Sequence, residues 1–259
     1  MSAHTPIITL TTDFGQSDGY VGAMQGVILN ICPQATLVTI SHDILPQNIQ
    51  AAAFVLYQAF DTYPPHTIHC VVIDPGVGSR RHAVAVRTAH GIFVGPDNGV
   101  FSLVLGVSEA LEAVSLTNPA YQLPQVSTTF HGRDIFAPAS AHLAAGVPLR
   151  EFGPPLSNLQ RLEFGSGLKE GESKIIHIDH FGNLILDITA QHIDHPETAT
   201  FKIGDRTIRS LSRTFADVPE GELLAYIGSS RNHVEIAVRN GNAAQTLGLQ
   251  LNDVVQITP

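Results

Sequence analysis

Ile7-Ile8-Thr9-Leu10-Thr11-Thr12 is a short apolar and β-branched run that stops at Asp13-Phe14-Gly15. It reads as a buried first strand whose carboxyl end carries an acid. Residues 20–31 place apolar side chains at helical spacing, with Pro33 just beyond as a stop. A second strand follows at 36–40, ending at Ser41-His42-Asp43, and an alanine-rich helix at 48–59. A third strand, 68–74, runs into Pro75-Gly76-Val77-Gly78. Two more, 83–87 and 91–95, precede Pro96-Asp97-Asn98-Gly99, and residues 134–146 read as a helix. This alternation predicts an α/β domain with a largely parallel sheet. Ligands in such sheets bind at the carboxyl ends of strands, where Asp13, Asp74 and Asn98 fall.

The pattern changes after Gly153-Pro154-Pro155, which opens a linker-like stretch through Gly171. Short runs with turn signals then follow at 173–179, 184–188, 200–203, 223–228, 233–238 and 253–257. Helical periodicity nearly vanishes there, which predicts a small all-β barrel or sandwich. We therefore divide the 259 residues into an α/β domain, 1–164, and a β-barrel domain, 165–259.

Composition narrows the chemistry. Charged residues are only 14% of the chain and hydrophobic ones 44%, which argues against disorder. The net charge is −9 and no Lys/Arg run exists, so a nucleic-acid partner is not expected. No apolar run approaches the ~20 residues of a membrane span. The first six residues lack the layout of a signal peptide, so the expectation is a cytoplasmic protein without a membrane partner. Cys32 and Cys70 are too few for a disulfide framework and read as buried small residues. His177, His180, His192 and His195 lie on β-type segments and lack Cys or paired carboxylate partners at metal-ligand spacings, so no metal is expected.

Several motifs carry polar groups suited to a ligand. Asp13 at its strand end could accept both hydroxyls of a ribose diol, and Asp18 either caps the helix from Tyr20 or joins the site. Asp74-Pro75-Gly76-Val77-Gly78-Ser79-Arg80-Arg81 has the glycines of a phosphate loop but no Lys after the last one, so it is not one. What remains is an acid, a tight turn and an arginine pair. Phe130-His131-Gly132-Arg133-Asp134 puts a histidine just before a helix. Asp179-His180-Phe181-Gly182-Asn183 and Ser229-Ser230-Arg231 sit in turns, with Glu235 on the strand after the second. An arginine and two hydroxyls suit a carboxylate.

Taken in order, these stretches resemble one family, the S-adenosylmethionine (SAM) hydroxide adenosyltransferases, which are adenosyl-forming SAM hydrolases related to the fluorinase and chlorinase. The resemblance rests on Thr12-Asp13-Phe14-Gly15 with the following Asp18-Gly19-Tyr20-Val21-Gly22, on 72–78, on Gly95-Pro96-Asp97-Asn98-Gly99, on 130–134, on Phe181-Gly182-Asn183, and on Gly228-Ser229-Ser230 with 235–238. It implies a homotrimer with SAM, the substrate, held between subunits and no cofactor. It implies that Asp13 holds the ribose, Phe215 stacks on adenine and Asn183 hydrogen-bonds it. Asp179 would take the methionine ammonium, and Ser230, with Arg231 nearby, its carboxylate. Asp18, Asn98, Ser229, Glu235 and Val238 complete the implied substrate-binding set.

The family's catalytic Asp–Arg–His set looks like Asp74, Arg81 and His131, with Arg80 competing for the middle place. Asp74 and His131 would orient water and accept or relay its proton, while Arg81 stabilises hydroxide character. Attack at ribose C5′ would give adenosine and L-methionine, from SAM or its (R)-sulfonium epimer. Two rivals share the ligand. A sensor would bind SAM or adenosine without turnover. A halogenase, by resemblance, carries Tyr and Thr at the positions of Asp74 and Val77, a Trp where Gln47 stands, and an added loop missing here. A dehydrogenase is excluded because no Gly-x-Gly-x-x-Gly follows the first strand.

Overall fold

Strand β1 (Ile7–Thr12) is buried from Ile8 onward. Ile8 and Leu10 point to one side and pack with Met24 and Ile28 of helix α1 (Tyr20–Ile31), which sit one turn apart on one face of that helix. The computed structural model describes residues 5–164 and 168–258, so the expected boundary after residue 164 abuts residues 165–167, outside the described residues. The chain divides into two compact units, Met1–Leu162 and Glu163–Pro259.

In the first unit β2 (Thr36–Ser41), α2 (Ile49–Ala59), β3 (Ile68–Val72), β4 (Ala83–Thr88), β5 (Gly91–Pro96), α3 (Ser102–Val107), β6 (Glu112–Ser115) and α4 (Ala137–Ala144) follow in order. Asn48 caps α2 by accepting from the Ala51 amide at 2.9 Å. The sheet order is β2-β1-β3-β5-β4-β6. β2, β1, β3 and β5 pair in parallel, but β4 is antiparallel to both β5 and β6. The sheet is therefore mixed. The cause is the two-residue connection Ala89-His90, which can join only antiparallel neighbours. Alternation along the strands supplies two cores. Leu10, Cys70, Val72 and Ala85 pack with α1 and α4 on one face, while Val71, Ile73, Val84 and Phe93 pack with α2 and α3 on the other. Both cysteines are free and buried, and burial pushes the Cys70 thiol up to about 12.

The second unit is built from β7 (Glu172–Ile178), β8 (Leu184–Thr189), β9 (Thr200–Ile203), β10 (Arg206–Arg209), β11 (Leu223–Ile227), β12 (His233–Val238), the short helix α5 (Ala243–Leu247) and β13 (Val254–Thr258). Its sheet runs β10-β9-β13-β7-β8-β12-β11, with every paired strand antiparallel. Ser212, just past β10, bridges Tyr226 of β11, so the two edges approach and the sheet nearly closes on a core of Ile175, Leu186, Phe201 and Ile236. Among the described residues no helix is long and apolar enough to cross a membrane.

Candidate active site

The carboxyl ends of β1 and β3 open onto a cavity of about 690 Å³ lined by Asp13, Asp74, His131 and Arg133, with Phe14, Tyr20 and Phe130 as an apolar wall. The three rings meet at centroid distances of 5.2–5.9 Å. Asp13 Oδ2 accepts from the Gln47 amide at 2.7 Å, which ties β1 to a loop turned by the left-handed Gln47 (φ 66°). That bond engages Oδ2 and leaves Asp13 on the cavity wall.

Asp74 lies two residues past β3, where two tight turns reverse the chain: the Val77 amide donates to the Asp74 carbonyl and the Ser79 amide to the Gly76 carbonyl. Gly78 has φ +75° and lies so close to the Thr128 carbonyl that a Cβ would collide with it. The reversal sets Arg81 beside Asp74. Arg81 Nε donates to Oδ1 at 2.9 Å and Nη2 donates to Oδ2, a two-point ion pair with only 10% and 6% of the side chains exposed. Arg81 Nη2 also donates to His131 Nδ1 at 2.7 Å, and its guanidinium lies over the Phe136 ring. Arg80, by contrast, is exposed.

His131 stands at the start of a π-helical turn, Gly132–Phe136, that leads into α4. The widened turn suits a functional position. It buries Asp134, which accepts from Arg133 Nε at 2.7 Å and from the Ser127 amide at 2.8 Å. The Arg133 guanidinium lies over Phe130. Burial and the charge of Arg81 hold the His131 imidazole below its usual range, against the opposing pull of Asp74 and Asp134.

A second cavity, about 910 Å³, lies within the β unit and is lined by Asp179, Asn183, Phe215, Ser229, Ser230, Glu235 and Val238. Asp179 Oδ1 accepts from the Phe181 and Asn183 amides, and Oδ2 from Asn183 Nδ2 at 2.8 Å, so the acid shapes its own turn as well as facing the cavity. Phe215 packs on Tyr226 at 5.0 Å between centroids. Tyr226 and Glu235 are register partners on β11 and β12, and the phenol donates to the carboxylate. Burial and Glu235 together push the Tyr226 hydroxyl up. Gly228 is required here because a Cβ would overlap the Glu235 carboxyl group.

Three of the expected substrate-binding residues fall elsewhere. Asp18 is exposed and lines neither cavity, and Gly19, not Asp18, is the N-cap of α1. Asn98 donates to the Ile73 carbonyl and accepts from the Val100 amide, so it ties β5 to β3 instead of lining the cavity. Arg231 takes a left-handed backbone (φ 52°) outside the cavity lining. Gln47, Tyr20, Arg133 and Tyr226 line the cavities although they lie outside the expected site set. For Arg133 the signal is its place in the 130–134 motif, and for Tyr226 its cross-strand pairing with Glu235. Among the described residues no group of three or more His, Cys, Asp or Glu side chains could hold a metal ion.

Two family models cover most of the chain. The model of the SAM hydroxide adenosyltransferase N-terminal domain matches residues 8–153, and that of the C-terminal domain matches 173–256. An (R)-S-adenosyl-L-methionine hydrolase of Salinispora tropica is 38% identical over 99% of both chains. One of Thermus thermophilus is 37% identical over 92% of this chain and 94% of its own. A crystal structure of an uncharacterized conserved protein from Thermotoga maritima superposes with a TM-score of 0.89 at 34% identity, covering 97% of this chain and 100% of that one. The chain belongs to the SAM hydroxide adenosyltransferase family.

Proposed function

We propose that this protein hydrolyses the (R)-sulfonium epimer of SAM to adenosine and L-methionine by attack of water at ribose C5′. The choice of epimer is supported by the names of the relatives. The observation that carries the reaction is that Asp74 and His131, both bonded to Arg81, stand on the wall of a cavity that also presents Asp13. A binding protein without turnover has no need of a buried ion pair facing its ligand.

The sulfonium makes neutral methionine a good leaving group, so the reaction needs neither a general acid nor a cofactor. The remaining task is to hold a weak nucleophile in line with C5′. Positioning of this kind can contribute several kcal/mol, against a ceiling of roughly 7–11. Asp13 would hold the ribose hydroxyls, and Asp74 would orient the water. Asn183 and Phe215 would hold the adenine, Asp179 the ammonium, and Ser229 and Ser230 the carboxylate of methionine. Glu235 and Val238 complete the second cavity's share of the ligand. A halide at this place would face the Asp74 carboxylate, which favours water as the nucleophile. We extend the proposal to a homotrimer with SAM held between subunits, which the family resemblance supports, and to a cytoplasmic location.

The test is chromatography of the products after incubation with each sulfonium epimer, with and without chloride. Adenosine and methionine, formed faster from the (R) epimer and unaffected by chloride, are expected. SAM bound but unconsumed would favour the sensor reading, and 5′-chloro-5′-deoxyadenosine would overturn the assignment of water.

A further inference from the structure

His131 is held by a group that can donate but never accept. Arg81 Nη2 lies 2.7 Å from His131 Nδ1, and a guanidinium carries N–H donors and no acceptor. Nδ1 must therefore present its lone pair, and the ring proton sits on Nε2. The same Nη2 donates to Asp74 Oδ2 while Nε donates to Oδ1, so the two hydrogens of Nη2 are divided between the carboxylate and the imidazole.

We propose that His131 serves the reaction as a neutral hydrogen-bond donor, through Nε2–H, to the attacking oxygen and is not its general base. This rests on the hydrolase reading above. The one lone pair of the neutral ring points at Arg81, so no basic nitrogen faces the water. The charged groups around the ring are Arg81, Asp74 and Asp134. Burial and Arg81 outweigh the two acids, consistent with a ring that stays neutral.

The water is then oriented from two sides. One O–H donates to Asp74, one lone pair accepts from Nε2–H, and the second lone pair is directed at C5′. As the C5′–O bond forms, the C5′–S electron pair passes to sulfur, which ends the sulfonium and releases methionine. The new oxygen is at that moment a protonated alcohol, a strong acid. The Asp74 carboxylate takes its proton, paired though it is with Arg81, and passes it to solvent. His131 begins and ends the cycle with the same proton.

Two variants separate donor from base. His131→Gln keeps an N–H donor at similar reach and has no basic nitrogen, whereas His131→Ala has neither. The kcat of His131→Gln is expected within about tenfold of the unsubstituted enzyme, the ordinary worth of one hydrogen bond, with His131→Ala at least tenfold lower again. A general base is worth about 10²–10⁴-fold, so a His131→Gln enzyme as slow as His131→Ala and reduced by that factor overturns the proposal. Rescue of His131→Ala by substituted imidazoles gives an independent reading. Rates flat or falling as imidazole basicity rises support the donor role, and rates rising with basicity overturn it. Failure of the unsubstituted enzyme to form adenosine would instead overturn the hydrolase reading, and the two failures are distinct.

Discussion

Asp74 and Arg81, seven residues apart, meet side-on: Nε donates to Oδ1 at 2.9 Å and Nη2 to Oδ2. The turns through Gly76 and Gly78 are what allow so short a loop to close on itself. A lysine offers a single point charge and cannot reproduce the two-point contact while also reaching His131. Arg81→Lys is therefore expected to lower kcat by about 10²-fold, on the scale of losing one preorganised donor. Arg80→Ala, at an exposed position, should stay within about twofold, as ordinary surface substitutions do. Steady-state kinetics on both variants checks this, and the opposite ranking would assign the role to Arg80.

Asp74→Asn keeps the side chain's shape and removes its charge. Substrate binding should change by only a few-fold in titration calorimetry, while single-turnover rates should fall by about 10²-fold or more. Equal losses in binding and turnover would make Asp74 a ligand for the ground state instead.

Tyr226 belongs to the other cavity, and its hydroxyl anchors Glu235. Tyr226→Phe removes a donor to a buried acid, an interaction worth about 1.5–3 kcal/mol when one partner is charged. The expected result is a KM raised about tenfold or more with kcat nearly unchanged. A fall in kcat at constant KM would contradict a binding role.

A buried histidine, His69, and a half-buried one, His177, set a stability window. Burial lowers His69, stacked on Phe93, and His177 to about 4 each. The ordinary value of 6.5 applies in the unfolded chain. Between these values the unfolded state binds more protons than the folded one, so stability falls as the pH drops from 6.5 toward 4. Full uptake corresponds to a slope of up to about 1.36 kcal/mol per pH unit for each group, His69 in the first unit and His177 in the second. Denaturant melts across this range, with and without the pair His69→Gln and His177→Gln, should show the slope flatten in the double variant.

Much of the fold is legible in the amino-acid sequence. The apolar period places α1 and the early strands because their burial follows the 3.6- and 2-residue repeats directly. The expectation of a largely parallel first sheet misses the reversed β4, although the short gap between β4 and β5 already forbids a parallel crossover. The strand-end rule locates Asp13 and Asp74 but also suggests Asn98, which ties two strand ends together instead. That difference lies in side-chain direction, which periodicity does not encode. The π-helical turn at Gly132–Phe136 and the contact of His131 Nδ1 with Arg81 depend on local backbone geometry and on residues fifty positions apart. No pattern in the sequence specifies which nitrogen of His131 carries the proton.

In the proposed reaction the oxygen of water attacks C5′. Turnover of (R)-SAM in H₂¹⁸O, followed by mass spectrometry of both products, tests it most directly. One ¹⁸O atom is expected in the 5′-hydroxyl of adenosine and none in methionine. Adenosine without label, or 5′-methylthioadenosine with labelled homoserine, would contradict it.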